Sequence, residues 1–232
     1  MTKGHGWDVM RHWLAALALS CVCAPGAAVE PSLRPPPAGS AIVIVEPDVE
    51  LAIMIASGAT QPRPAWSDAA RANIAAAARE ALAAKQHAVQ QLPRADASDR
   101  VRQILLLHDA VRVSMRTADE SERDLRTLPR DRAWTLGAGA RALDETGVAT
   151  HALLIHCDGD FTGGPRVFFV VLGAAMGFLA ETGLQRASAT LVDLDTGDIV
   201  WRNRIVARPD QDVRTAAGAR SLVGVLLQGA PL

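Results

Sequence analysis

The chain has almost no surplus of charge. Its 24 Lys and Arg residues face 25 Asp and Glu, a formal net charge of -1 over 232 residues. That balance offers no basic face for a general nucleic-acid binder. Lysine is nearly missing, with Lys3 and Lys85 the only two, so the positive charge is carried by arginine. Cysteine is scarce, at Cys21, Cys23 and Cys157. No run of apolar residues reaches the roughly 20 that a straight membrane-spanning helix needs. The patterns C-x-x-C, H-E-x-x-H, G-x-S-x-G and S-x-x-K do not occur, which removes the usual zinc and nucleophile signatures. What is present is 49% hydrophobic and 21% charged residues. That is the make-up of a folded globular protein rather than a disordered tail or a collagen-like fibre.

The amino terminus reads as an address. Arg11 and His12 precede the apolar run Trp13 to Cys23, and small residues follow at Gly26, Ala27 and Ala28. A basic start, a short apolar core and a small-residue exit are the parts of a secretory signal peptide, expected here over residues 1–28. Met10 is an alternative start. Two exits are open. Cleavage after Ala28 would leave a free exported protein. Ala18-Leu19-Ser20-Cys21 instead resembles a lipobox, with Ala18 where leucine is usual, and lipid on Cys21 would anchor the chain without spanning the membrane. Cleavage after Ala28 leaves Cys157 alone, so no internal disulfide can staple the fold. Within its apolar run Cys157 reads as a small hydrophobe. Residues 29–39 include PSLRPPPAG, a proline-rich tether expected to be a semi-rigid spacer. Residues 40–232 then form a single domain.

Periodicity makes that domain α/β or α+β: one sheet of about four to five strands, with a late hairpin, packed with three to five helices. Ala41 to Val45 is a β-branched strand that Pro47 ends or bends. Ser67 caps an alanine-rich helix to about Gln86, packing through Ile74, Ala77, Ala78, Ala81 and Leu82. Ser98 caps a second helix to about Thr117, with Val101, Ile104, Leu105, His108, Val111 and Met115 on one face. His108 reads as a hydrogen-bonded core histidine. Residues 116–132 mix both signs of charge and read as a solvated face or loop. A short helix from about Gly139 to Thr146, with Gly147 as left-handed C-cap, leads into a buried strand, His151 to Cys157. Thr190 to Asn203 alternates about Asp195-Thr196-Gly197-Asp198, a hairpin in which Gly197 supplies positive φ. The tail from Asp210 to Gln228 is a helix with Leu222, Val225 and Leu226 on one face.

Chemistry is thinly signalled. Asp193-x-Asp195-x-Gly197 opens like a calcium loop, but its twelfth position is Arg204 rather than glutamate, so the turn is preferred. His151, His156, Asp158 and Asp160 are metal-type ligands close in sequence, yet the two histidines lie five apart and face opposite sides of a strand. Gly137-Ala138-Gly139 precedes a helix and offers a weak phosphate-loop reading. Arg166 to Ala180 is almost wholly apolar and reads as a helix, with a strand and a membrane-touching segment as alternatives.

Two stretches carry a resemblance. Leu136–Ile155 (LGAGARALDETGVATHALLI) and Ala187–Trp201, ending VDLDTGDIVW, resemble the periplasmic α/β domains of CsgG-type outer-membrane lipoproteins and the TolB amino-terminal domain. In those proteins a glycine-ended helix leads into a strand, and a late hairpin carries a similar turn. The resemblance implies a non-enzymatic envelope component of a secretion or surface-assembly apparatus.

The expectation is therefore an exported, periplasmic protein without catalytic residues or cofactor, anchored to the outer membrane through Cys21 or free. Its partners would be other envelope proteins or a second copy, met through Val167, Phe168, Phe169, Leu172, Met176, Phe178 and Leu179, and not nucleic acid. The alternative is a periplasmic metal-binding enzyme or hydrolase using His151, His156, Asp158 and Asp160.

Overall fold

A computed structural model describes residues 34–55, 57–124, 133–162 and 184–232. The expected signal peptide, Cys21 and the segment from Val167 to Leu179 lie outside them.

Seven strands form one mixed sheet: β1 (Ala41–Val45), β2 (Asp48–Met54), β3 (Thr60–Pro62), β4 (Ala88–Leu92), β5 (His151–Thr162), β6 (Gln185–Asp193) and β7 (Ile199–Val206). They fill five positions across the sheet, because β1 and β2 share one and β3 and β4 share the next. The first half of β5 pairs in parallel with β1, and the second half in parallel with β2. Pro47 explains the join. It has no N–H for the ladder, so the chain leaves β5 after Val45 and returns at Asp48. β4 lies outside β1, β3 outside β2, and the antiparallel β6–β7 hairpin completes the other side.

Helices cover both faces. α1 (Pro64–Ala84) and α3 (Ala216–Leu226) pack on one face, burying Ile74, Ala78, Leu82, Leu222 and Leu226 against Ile42, Leu153, Ile155 and Leu191. α2 (Asp99–Asp124) and a 3-10 turn (Ala138–Leu143) cover part of the other, where Val101, Ile104, Leu105 and Leu143 meet Val43, Leu154 and Val192. The α/β expectation holds. Seven strands replace four or five because β3 is short and polar and β4 carries Gln90 and Gln91 rather than an apolar run.

Several boundaries differ, each for a local reason. α1 begins at Pro64, whose fixed φ suits a first helical position, so Ser67 is already inside the helix. Its Oγ accepts from the Leu51 N–H at 3.0 Å and so joins the helix to β2. α1 ends at Ala84, because Gln86 takes a positive φ of 64° and turns the chain into β4. α2 does start at Ser98, whose Oγ accepts from Val101 N at 3.3 Å, but it continues through the charged stretch to Asp124. The helix expected over 139–146 is the 3-10 turn ending at Leu143. Asp144 closes it by accepting from the N–H groups of Thr146 and Ala149. Gly147 has positive φ, but in the turn beyond rather than as the cap. The tail helix is split into a 3-10 turn (Pro209–Gln211) and α3. In the described part of the tether, Pro36 is buried and the Arg34 carbonyl accepts from His151.

The hairpin forms as expected. Asp193 Oδ1 accepts from Asp195 N and Thr196 N, the arrangement of a turn rather than a calcium loop. Gly197 has φ 80°, and a Cβ there would collide with the Gly137 carbonyl. Gly137 is thus occupied in packing the hairpin, which leaves the weak phosphate-loop reading of Gly137–Gly139 without support.

Candidate functional site

Along the face beneath α2 the character of β5 and β6 changes partway. Ala152 and Leu154 on β5 and Val192 on β6 belong to the core. The same alternation then places His156 and Asp158 on β5, and Arg186, Ser188 and Thr190 on β6, facing the same way. Arg202 and Arg204 continue the pattern on β7. The second half of α2 runs beside this polar half-face, and Arg112, Met115 and Arg116 form the opposite wall. The cleft between them encloses about 560 Å³.

One row crosses four strands. Asp48, His156, Ser188 and Arg204 are successive register partners on β2, β5, β6 and β7. His156 Nδ1 donates to Asp48 Oδ2 at 3.0 Å, and Asp158 Oδ1 lies 3.6 Å from Nε2. Burial pushes the His156 pKa down, but the two carboxylates outweigh it and the net direction is up. Asp48 is lowered, first by the hydrogen bond from His156 and against its burial. Burial raises Asp158, but His156 and Arg186 reverse that and leave it lowered as well. The three groups favour an imidazolium between two carboxylates. A ring with a carboxylate facing each nitrogen is favoured in its protonated form, which cannot accept a proton as a general base must.

At the inner end, His108 Nε2 and Thr190 Oγ1 are 2.7 Å apart, and both residues are buried. This is the hydrogen-bonded core histidine expected from α2. Its Nδ1 has no hydrogen-bond partner and sits 3.8 Å from Asp109 Oδ1. The Arg112 Nε is likewise buried without a hydrogen bond, 3.9 Å from the same Asp109 Oδ1. Along the outer rim Arg202 donates twice to Asp119, at 2.6 and 2.8 Å. Looser pairs join Arg204 to Glu120 at 3.5 Å and Arg186 to Asp158 at 3.6 Å.

The metal-type ligands read from the sequence are not gathered together. His151 and His156 face opposite sides of β5, as their spacing requires. His151 Nε2 donates to the Arg34 carbonyl and Nδ1 is 2.9 Å from Thr150 Oγ1. Burial lowers the pKa of His151, with the bond to Arg34 opposing it. Asp160 shares the His156 face, two residues beyond Asp158. Among the described residues no group of three or more His, Cys, Asp or Glu side chains could hold a metal ion. Cys157 points into the opposite core, where burial, then the Asp158 charge, pushes its thiol up to about 12. Among the described residues no helix is long and apolar enough to cross a membrane.

Asp48, Arg112, Arg186, Ser188 and Arg204 were missed as site residues by sequence reasoning. The available signal was the period-2 placement of Arg186, Ser188 and Thr190 opposite Arg202 and Arg204. It shows a polar face but does not say that a helix will stand over it.

No family model matches the chain, and no curated protein matches it significantly. Two solved structures have a loose likeness. One is described as a neuraminyllactose-binding hemagglutinin homolog from Helicobacter pylori, with 13% identity, TM-score 0.39, and coverage of 85% of this chain and 86% of that one. The other is a DUF330-family protein from Xanthomonas campestris, with 10% identity, TM-score 0.33, and coverage of 84% and 85%. Neither likeness is close enough to carry an argument about this chain.

Proposed function

We propose that this is an exported, non-enzymatic protein of the cell envelope that acts by binding, as a component of an outer-membrane or secretion assembly. The observation that carries the reading is the state of His156. The imidazole lining the cleft is clamped between Asp48 and Asp158 and favoured as a cation, which suits recognition and not proton abstraction. Cys157, with a thiol near 12, is no nucleophile at neutral pH. The export signal, the tether and the resemblance of Leu136–Ile155 and Ala187–Trp201 to CsgG-type and TolB-like domains supply the envelope part of the proposal. Partners are other envelope proteins or a second copy, and the chain is either anchored by lipid on Cys21 or free in the periplasm.

The test is intact mass and cross-linking in native envelopes, with membrane and soluble fractions separated. The expected result is a mass beginning at Cys21 with acyl chains or near Val29 without them, and in either case a cross-linked envelope protein. A soluble protein with no cross-linked neighbour would overturn the reading.

One observation favours a second reading, a hydrolase. Asp48, His156 and Ser188 set carboxylate, imidazole and hydroxyl on successive strands, the residue types of a nucleophilic triad. Labelling of Ser188 by a fluorophosphonate, abolished by His156→Gln, would establish it. Absence of labelling is the result expected for a binding protein.

A further inference from the structure

The cleft has an unequal charge lining. Among the described residues five arginines line it against three carboxylates, Asp119, Glu120 and Asp158. Arg202 is committed, with both terminal nitrogens on Asp119. Arg186 and Arg204 are not. Their pairs are 3.6 and 3.5 Å long, and the four side chains are between 39% and 56% exposed. Exposed pairs of this kind contribute about 0–1 kcal/mol, so a stronger acceptor can take either guanidinium. Ser188 lies between them. It faces Arg204 across the β6–β7 ladder, follows Arg186 by two residues on the same face, and faces His156 across the β5–β6 ladder. Side chains opposed in this way have Cβ atoms about 4.5–5.5 Å apart. Two guanidiniums, a hydroxyl and an imidazole therefore surround one patch of sheet, with the Asp158 carboxylate at its edge beside Arg186 and His156. Above it, on α2, the buried Arg112 Nε makes no hydrogen bond and sits 3.9 Å from Asp109 Oδ1.

We propose that this patch binds a phosphate group, gripped by Arg186 and Arg204 and seated on Ser188 beside His156. A carboxylate is planar and one guanidinium fork can satisfy it. Here the donors come from two guanidiniums and a hydroxyl on β6 and β7 and suit a tetrahedral group with three accepting oxygens. The cleft is open and larger than phosphate alone, so the group is carried either on a soluble phosphate compound or on a lipid headgroup. The inference deepens the binding-protein reading and rests on it.

The experiment uses the full exported protein with two probes. One is inorganic phosphate, followed by calorimetry. The other is phosphatidylcholine vesicles with and without phosphatidylglycerol, followed by flotation. The variant Arg186→Gln with Arg204→Gln is compared with Arg79→Gln, which removes an exposed arginine on α1 outside the cleft. The expected result is binding of at least one probe, weakened about tenfold or more in the double variant and unchanged in Arg79→Gln. Binding to phosphatidylglycerol vesicles alone identifies a headgroup site, and binding to free phosphate identifies a soluble ligand. No binding of either probe overturns the proposal, as does equal binding by both variants. Should the double variant fail to fold, Ser188→Asp replaces it: a carboxylate at the centre should abolish binding, and wild-type affinity in that variant overturns the proposal. A protein that cross-links to an envelope partner yet ignores both probes sinks the phosphate site alone. Fluorophosphonate labelling of Ser188 sinks the binding-only reading instead.

Discussion

Asp48 accepts a hydrogen bond at 3.0 Å from His156, its register partner on the neighbouring parallel strand. The pairing exists because Pro47 detaches the chain from β5 and Asp48 begins the next run of the ladder. The link carries a pH signature. His156 is raised from its ordinary 6.5, so its contribution to stability is complete below that value and is lost as pH climbs through the folded value. Asp48 and Asp158 are lowered from 3.8, so theirs is complete above that value and is lost as pH falls through the folded values. The cluster therefore stabilises most between about pH 4 and 6.5. His151, lowered from 6.5, acts oppositely, and its contribution shrinks as pH falls. Asp48→Asn should cost about 2 kcal/mol at pH 6 and much less at pH 9. Urea titrations of both proteins across that range check it, and a pH-independent difference would show that the pair does not titrate as described.

His108 and Thr190 form the second buried link, 82 positions apart in sequence and 2.7 Å apart in space. Thr190→Val leaves the His108 Nε2 unpaired, and His108→Leu leaves the threonine hydroxyl unpaired. Each should cost about 1–3 kcal/mol. The double variant removes both polar groups and should be less destabilised than the sum, by a coupling of about 1 kcal/mol. Additive losses would mean that α2 is held by its apolar face alone.

The two links differ in how visible they were in the sequence. His108 fell on an apolar helical stripe, and a histidine there must find a partner in the core, so its role could be read directly. Asp48 and His156 are 108 positions apart, and nothing local to either states that β2 will pair with the second half of β5. The same division runs through the fold. The β6–β7 hairpin, the α2 face and the β1 strand are written in local periodicity and turn chemistry. β4 was missed because Gln90 and Gln91 hide an edge strand beside β1. The polar cleft was missed because it is produced by α2 outrunning its apolar stripe, a consequence of length and docking angle rather than of any motif.

Cys157 gives a test of burial. With its thiol pushed up to about 12, almost none is thiolate at pH 8, and the core excludes reagent. Alkylation at the Cys157-bearing peptide, read by mass spectrometry, should be more than about a hundredfold slower in the native protein than in urea. Native labelling at the unfolded rate would place the residue outside the core.

Gly197 should tolerate no side chain. Its φ of 80° disfavours an L residue, and a Cβ would strike the Gly137 carbonyl, which belongs to rigid backbone. Gly197→Ala should cost about 3 kcal/mol, the combined scale of left-handed strain and overpacking. A thermal shift within error of wild type would mean that the hairpin and the 137–139 turn can part freely.

Ser67 separates a helix cap from a helix–sheet link. As an N-cap its hydroxyl would serve the start of α1, and Ser67→Ala would fray that helix. In the fold its Oγ accepts from the Leu51 N–H, while its own N–H bonds the Arg63 carbonyl within the helix. Leu51 is 2% exposed, so its amide has no water to turn to, and an unpaired buried donor costs about 1–3 kcal/mol. Ser67→Ala should therefore lose that much stability while the first turn of α1 keeps its protection, and the Leu51 amide should exchange faster with solvent. Ser67→Thr retains an oxygen and should recover most of the loss. Hydrogen exchange resolved to single amides decides the matter: faster exchange confined to the first turn of α1, with Leu51 unchanged, would restore Ser67 to the role of a cap.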